Sequence, residues 1–225
     1  MKAGLIATTG PEIGAGTNGT HVVQGTDPVV LAGIRAPEIT LALWQRSPCA
    51  EISDWLTTVD FDAIEDLRFE TELAALGDDV REGLMEAGYP DVAARELLAT
   101  DIADLARRFL TLMDENHAVI RLEVVEDDAC RRFHADYVTT RLISTYAGPG
   151  TEWLGQADAA ALGEGVPMST LTIHRLGTGD VGLFKGRLWA PENAISHRSP
   201  PIAGTGKRRL VLVIDPGKEP AAVLA

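Results

Sequence analysis

Apolar residues recur with different periods in the two halves of the chain. Between Asp91 and Met113, Leu97, Leu98, Ile102, Leu105, Phe109 and Leu112 mostly fall three or four apart, the spacing that lines one face of an α-helix. Pro90 precedes the run, and Arg107 and Arg108 lie towards its C-terminal end, where the helix dipole favours cations. From residue 117 onward the period shortens. Residues 118–125, 137–146, 169–176, 181–184 and 210–214 alternate or run apolar, as strands do. Gly-Pro-Gly at 148–150, Gly-Thr-Gly-Asp at 177–180 and a Pro-Pro-Ile-Ala-Gly-Thr-Gly stretch at 200–206 separate them. Short strands with turn signals between them predict an antiparallel sandwich or barrel.

Upstream, Ile39 to Trp44 reads as a strand and Pro48 to Val59 as a short helix with Ile52, Trp55 and Leu56 on one side. Asp60 is placed to N-cap a further helix over Phe61 to Leu67. Residues 1–28 are rich in Gly and Thr and read as a flexible arm with one short strand over 4–8. Gly14 to Gly19 matches G-x-G-x-x-G, but extended chain follows where a dinucleotide site needs a helix, so the match is read as part of the arm. The expected organisation is an arm over 1–28 and a single domain over 29–225. Within it, 29–116 is mainly helical support and 117–225 a β core.

The chain has 225 residues, 20 Lys plus Arg against 33 Asp plus Glu, and a net charge of −13. That balance disfavours nucleic acid and anionic membrane surfaces as partners. No apolar run approaches the ~18 residues of a membrane span, and the first residues show no signal-peptide pattern. Cys49 and Cys130 are the only cysteines, too few for a zinc ribbon and consistent with a reducing cytoplasm, the expected location. A monomer or a homodimer is expected.

Of five histidines, His21, His117 and His174 read as structural, with His174 a minor candidate for pocket lining. His134 differs because Asp136 stands two residues on, and in extended chain i and i+2 share a face. A distal histidine, His197, would complete a set of two histidines and one carboxylate. Non-haem Fe(II) oxygenases use such a set because it leaves coordination positions open. Arg209 enters the last strand 12 residues after His197, and a hairpin between them would return a guanidinium fork, suited to a carboxylate, to the same region. Gly204-Thr-Gly-Lys207 lacks the spacing and the hydroxyl residue of a phosphate loop, which argues against nucleotide binding.

The order H-x-D, then Gly-Asp-Val-Gly-Leu-Phe-Lys-Gly at 179–186, then His197, then Arg209 and a closing strand resembles the Fe(II)/2-oxoglutarate dioxygenase superfamily. More narrowly, His134-Ala-Asp136, the stretch Arg141 to Leu154 and His197-Arg-Ser-Pro-Pro resemble an uncharacterised bacterial family, domain of unknown function 1826. The resemblance implies an α+β fold with a double-stranded β-helix (jelly-roll, cupin-like) core in the C-terminal half and N-terminal helices packed against it. It implies His134, Asp136 and His197 as metal ligands, Fe(II) as metal, and 2-oxoglutarate as a small-molecule cosubstrate held by Arg209. Arg208 is a further cosubstrate candidate, with Arg209 preferred because alternation would point the two to opposite faces. Tyr146 is a second cosubstrate candidate or a core tyrosine. Arg141, Glu152, Trp153 and Lys185 are candidates for the substrate pocket, Arg141 alternatively as a buried ion-pair partner. Cys130, four residues before His134, reads as a free thiol that could also serve as an accessory ligand. The alternative is a non-catalytic metal-binding protein linked to zinc homeostasis, since the same ligands suit Zn²⁺.

Overall fold

The computed structural model describes residues 21–128 and 130–217. Residues 1–20, with the expected strand over 4–8 and the glycine run, lie outside the described residues.

Among the described residues, ten strands form two sheets. The larger is built from β1 (Val22–Gly25), β2 (Leu41–Trp44), β3 (Leu67–Glu72), β4 (His117–Val125), β5 (Thr140–Ala147), β8 (Val181–Lys185) and β10 (Arg209–Pro216). Their spatial order is β1-β2-β8-β5-β10-β4-β3, antiparallel throughout except for the parallel pair β1 and β2. The smaller sheet, ordered β7-β6-β9, contains β6 (Glu152–Leu154), β7 (Ile173–Arg175) and β9 (His197–Arg198). Four α-helices accompany them: α1 (Ala50–Leu56), α2 (Leu76–Glu86), α3 (Ala93–Met113) and α4 (Gln156–Gly163).

Alternation along the strands of the large sheet divides the interior in two. One face presents Ile120 and Leu122 of β4, Leu142 and Tyr146 of β5, Leu183 of β8 and Leu210, Leu212 and Ile214 of β10. These pack against Leu98, Ile102, Leu105 and Phe109 of α3 in a core shared with α1 and α2. This is the face that holds the fold together: burying a side chain of this size contributes roughly 1.5–3 kcal/mol. Of the expected α3 stripe, Leu97 instead lies exposed. The opposite face presents Ile143, Phe184, Val211 and Val213, which meet Trp153, Leu176 and Ile195 of the smaller sheet and its flanks. We call it the inner face.

The layout departs from the expected split into helical and β halves. β1, β2 and β3 all come from the first 72 residues and join the large sheet at both edges. Phe61 to Leu67 forms no helix. The Asp60 carboxylate accepts from the Asp62 amide in a turn, and the chain then enters β3. β3 carries little strand signal because Leu67-Arg-Phe-Glu-Thr-Glu72 has charge on its open face and only three inward positions, two of them apolar. Helix α2, with Leu76, Val80 and Leu84 buried, is a further element that the sequence pattern did not predict.

Candidate metal and cosubstrate site

His134 and His197 are brought together by backbone pairing. An isolated antiparallel bridge joins them, with the His134 amide donating to the His197 carbonyl (3.0 Å) and the reverse bond at 2.9 Å. Their ring centroids lie 4.8 Å apart, and Phe184 of the large sheet packs 5.0 Å from His197. Asp136 follows in a turn pinned to the end of β8: Arg187 N–H donates to the Asp136 carbonyl (2.8 Å) and Leu188 N–H to that of Val138 (3.1 Å). Gly186 makes this approach possible. A Cβ there would stand 2.1 Å from the Val138 oxygen and 2.9 Å from the Asp136 oxygen. The H-x-D pair is therefore not the opening of β5, as alternation suggested. His134 extends the small sheet, Asp136 leads into the large one, and the two converge between them.

One donor atom from each of His134, Asp136 and His197 lies within 4.8 Å of the others, the one such cluster among the described residues. His134 Nε2 is 3.6 Å from Asp136 Oδ1, and His197 Nε2 is 3.2 Å from Oδ2. Each ring holds its other nitrogen near a backbone carbonyl, Arg132 at 2.9 Å and Ile195 at 3.3 Å. A carbonyl only accepts, so Nδ1 carries the proton and Nε2 keeps its lone pair for the centre. Asp136 Oδ2 is buried without a well-aligned hydrogen bond among the described residues. Two imidazole lone pairs and a half-buried carboxylate facing one point suit a divalent cation. Burial opposes the charge on Asp136, but His134, His197 and Arg141 outweigh it and hold the carboxyl well below its usual range. The neighbouring Asp136 carboxylate raises the pKa of His134 against the opposing effect of burial.

Arg141, on the inner face of β5, resolves to an ion-pair partner. Its Nη1 lies 2.8 Å from Asp136 Oδ2, while Nε and Nη2 donate to the two Asp215 oxygens at 2.6 and 2.9 Å. Arg121 also approaches Asp215, at 3.2 Å. Asp136 is thus oriented by a guanidinium that is itself held in place.

Arg209 is buried on the inner face, 1% exposed. It donates to the Pro149 carbonyl (2.6 Å) and to the hydroxyls of Ser199 (2.9 Å), Thr151 (3.1 Å) and Thr145 (3.4 Å). All four acceptors are neutral, and Arg209 makes no ion pair among the described residues. Burial pulls its pKa down to about 10, with Arg175 adding to the effect and Glu152 opposing it. Gly148, at φ +78°, lets the turn after β5 lie against the backbone of Arg208 and Arg209, so this turn delivers the Pro149 carbonyl.

Four other candidates lie elsewhere. Tyr146 faces the helices, as Leu142 does four residues earlier on the same strand; it is the extra residue of a bulge opposite β10, and its hydroxyl donates to Asp101 of α3 at 2.6 Å. Arg208 points outward to Asp62 and Glu126. Lys185 lies on the same side as Leu183, away from the inner face, donating to the Ala36 carbonyl at 2.6 Å beneath Trp189. Glu152 is locked between Arg198, at 2.7 Å, and Arg175. Trp153, by contrast, does face inward beside His197 and stacks on His174 with centroids 4.2 Å apart. Its buried Nε1 has no partner among the described residues. His21 is structural, as expected, bonded to Thr40 and accepting from the Gln156 amide. Cys130 is an exposed free thiol outside the triad.

Residues the sequence did not single out are Thr145, Thr151, Ser199 and Asp215. Only the alternation of 197 with 199 and of 151 with 153 hinted that they share the inner face.

No curated protein matches this chain. Among solved structures, a rice dioxygenase for auxin oxidation aligns with a TM-score of 0.51 at 13% identity, covering 89% of this chain and 84% of that one. A full-length Neurospora crassa protein in complex with alpha-KG aligns at 0.43 and 11% identity, covering 84% and 77%. A Pseudomonas putida prolyl-4-hydroxylase gives 0.43 and 11%, covering 84% and 98%. The first of these establishes a shared fold and leaves the substrate open. The family described as protein of unknown function DUF1826 matches residues 25–215, and the chain belongs to that family.

Proposed function

We propose that this protein is an Fe(II)/2-oxoglutarate-dependent dioxygenase acting on a substrate yet to be identified, with residues 29–225 as its catalytic domain. His134, Asp136 and His197 would hold the metal, and Arg209 would bind the distal carboxylate of the cosubstrate. Bound iron with 2-oxoglutarate supplies the means to activate O₂ and oxidise a C–H bond. The chain's own groups do the rest. The two Nδ1–H bonds fix the imidazoles, Arg141 orients Asp136, and the apolar inner face keeps water from the cosubstrate.

The observation that carries this reading is Arg209. A buried guanidinium with only neutral partners is costly unless a bound anion completes it. A plain zinc site would need His134, Asp136 and His197 but has no use for that cradle. The fold shared with the rice dioxygenase agrees with a dioxygenase reading. The test is production of succinate from 2-oxoglutarate by the iron-loaded protein, abolished in His134→Ala. One tightly held zinc per chain, with no succinate formed after exchange for iron, would establish the alternative.

A further inference from the structure

A cavity of about 460 Å³ opens beside the candidate metal ligands, and His134 is part of its wall. Strand order fixes where it stands relative to Arg209. Ile195, His197 and Ser199 follow one another at every second residue, the spacing that shares a face. Ile195 lines the cavity, His197 is a candidate ligand, and the Ser199 hydroxyl accepts from Arg209. β6 keeps the same order: Thr151 accepts from Arg209, Trp153 is opposite His197, and Leu154 lines the cavity. The ligands therefore stand between Arg209 and the cavity, and an anion held by Arg209 lies on their other side.

We propose that this cavity binds the primary substrate, and that the substrate is a small zwitterion: one carboxylate and one ammonium on an apolar body, as in an apolar amino acid. The inference rests on the dioxygenase reading for the role of substrate, but not for the binding chemistry.

The charged groups of the wall carry it. Histidines apart, these are Arg187 and Glu192. Both are exposed, and among the described residues neither side chain has a hydrogen-bond or ion-pair partner, not even the other. They come from successive turns of one loop, in which Ala190 N–H donates to the Gly186 carbonyl (2.9 Å) and Asn193 N–H to that of Ala190 (3.1 Å). The Arg187 amide donates to the Asp136 carbonyl at 2.8 Å, so this loop is fastened to the backbone of a candidate ligand. An unpaired cation and an unpaired anion give the wall no net charge. A ligand that answers both must carry both signs, and a group of the wrong sign at either end is repelled.

The rest of the lining agrees. His21 and Thr40 bond to each other, and His21 accepts from the Gln156 amide, so both are already satisfied. Burial and the nearby His174 lower the pKa of His21, so it adds no charge at neutral pH. Phe133, Leu154, Leu162 and Ile195 supply apolar surface for the body of the ligand. A guanidinium fork suits the carboxylate and a carboxylate suits the ammonium.

Leucine is the probe, with leucinamide to keep the ammonium alone and isocaproate to keep the carboxylate alone. Each is titrated by NMR into the full chain loaded with 2-oxoglutarate and either Mn(II) or Zn(II). Leucine should bind at least ~10-fold tighter than either analogue. Its methyl signals should broaden with Mn(II) and stay sharp with Zn(II), because the cavity adjoins the metal ligands. Arg187→Gln should weaken leucine and isocaproate by roughly 3- to 10-fold and leave leucinamide unchanged. Glu192→Gln should weaken leucine and leucinamide by a similar factor and leave isocaproate unchanged. Both side chains are exposed, so neither substitution disturbs the core. No binding of leucine, equal affinity for leucine and both analogues, wild-type affinities in both variants, or leucine signals that ignore Mn(II) would overturn the proposal. Leucine binding that depends on Arg187 and Glu192, in a protein that fails to bind 2-oxoglutarate, would keep the zwitterion site and remove the dioxygenase reading. Normal 2-oxoglutarate binding without any charge-dependent leucine binding would do the reverse.

Discussion

Replacing Arg209 by methionine separates a cosubstrate anchor from a structural arginine. Methionine keeps most of the aliphatic length and removes the guanidinium. In the ligand-free protein that charge is a liability. The fall of its pKa from the ordinary arginine range to about 10, at ~1.36 kcal/mol per pH unit, is a cost of about 3 kcal/mol. Because the group is a base whose folded value is depressed, the cost is fully present at neutral pH. It is relieved only as pH rises through about 10 towards the ordinary arginine value. Against it stand the four bonds to Pro149, Thr145, Thr151 and Ser199, worth about 1 kcal/mol each at most once the hydroxyls rotate to other partners. The terms nearly cancel, so metal-free Arg209→Met should melt within ~4 °C of the wild type. Cosubstrate binding should respond very differently. Loss of a bidentate, charge-assisted carboxylate contact costs about 3–4 kcal/mol, or roughly 100- to 1,000-fold in Kd. Calorimetry with 2-oxoglutarate and Mn(II) as a redox-silent metal reads the second quantity, and thermal melting reads the first. An affinity within ~3-fold of wild type refutes the assignment of Arg209. A melting point lowered by more than ~10 °C would instead make the guanidinium structural.

Further outcomes follow from the same geometry. Asp136→Asn keeps the shape and loses the charge, and should weaken Co(II) binding by at least ~100-fold in a spectroscopic titration; Arg141→Met, which frees Asp136 to rotate, should cost ~10–100-fold. Gly186→Ala must push the Val138 and Asp136 carbonyls away, and should lower both metal affinity and stability, the latter by about 2 kcal/mol in denaturant titration. Tyr146→Phe should lose about 1–2 kcal/mol of stability, because its hydroxyl donates to a carboxylate, yet leave 2-oxoglutarate affinity unchanged. For pH, the raised folded pKa of His134 means its contribution to metal-free stability is complete below 6.5. That contribution is lost as pH rises through the raised value, and His134→Gln should flatten this part of the melting profile. Metal affinity should run the opposite way and fall on acidification, because Nε2 must be unprotonated to bind.

How much of this was legible in the sequence depended on the range of the signal. Helix α3 and strands β4, β8 and β10 were legible because their periodicity is local and their apolar side is fully buried. β3 and the short β1 were not, since an edge strand with one open face need not keep an apolar pattern on that face. The ligands were legible as residue types at a suggestive spacing. Their convergence was not, because it depends on one backbone bridge between positions 134 and 197 and on the room left by Gly186. The identities of Thr145, Thr151 and Ser199 as hydroxyl partners carry no local signature at all, because each comes from a different strand or turn.

Alternation decides two site questions once the facing of each strand is known. Arg208 and Arg209 are consecutive where the chain enters β10, and they part, one to Asp62 and Glu126 in solvent, the other to the interior. In β5, Leu142 and Tyr146 share the helical side, while Ile143 faces inward and Thr145, two residues on, reaches Arg209 at 3.4 Å. The irregularity comes just after Thr145. β10 pairs Val211 with Thr145 and Leu210 with Ala147, so Tyr146 is the extra residue of a bulge. The Tyr146–Asp101–Arg46 bonds on the outside of the sheet anchor that extra residue. Deleting Tyr146 would set Thr145 and Ala147 side by side opposite Val211 and Leu210, a regular ladder, with Arg141 still facing Asp136. Such a deletion should lower stability, because a buried side chain and its bonds to Asp101 are lost, yet keep Co(II) binding in a spectroscopic titration. Loss of Co(II) binding in a protein that still folds would show that the bulge itself shapes the site.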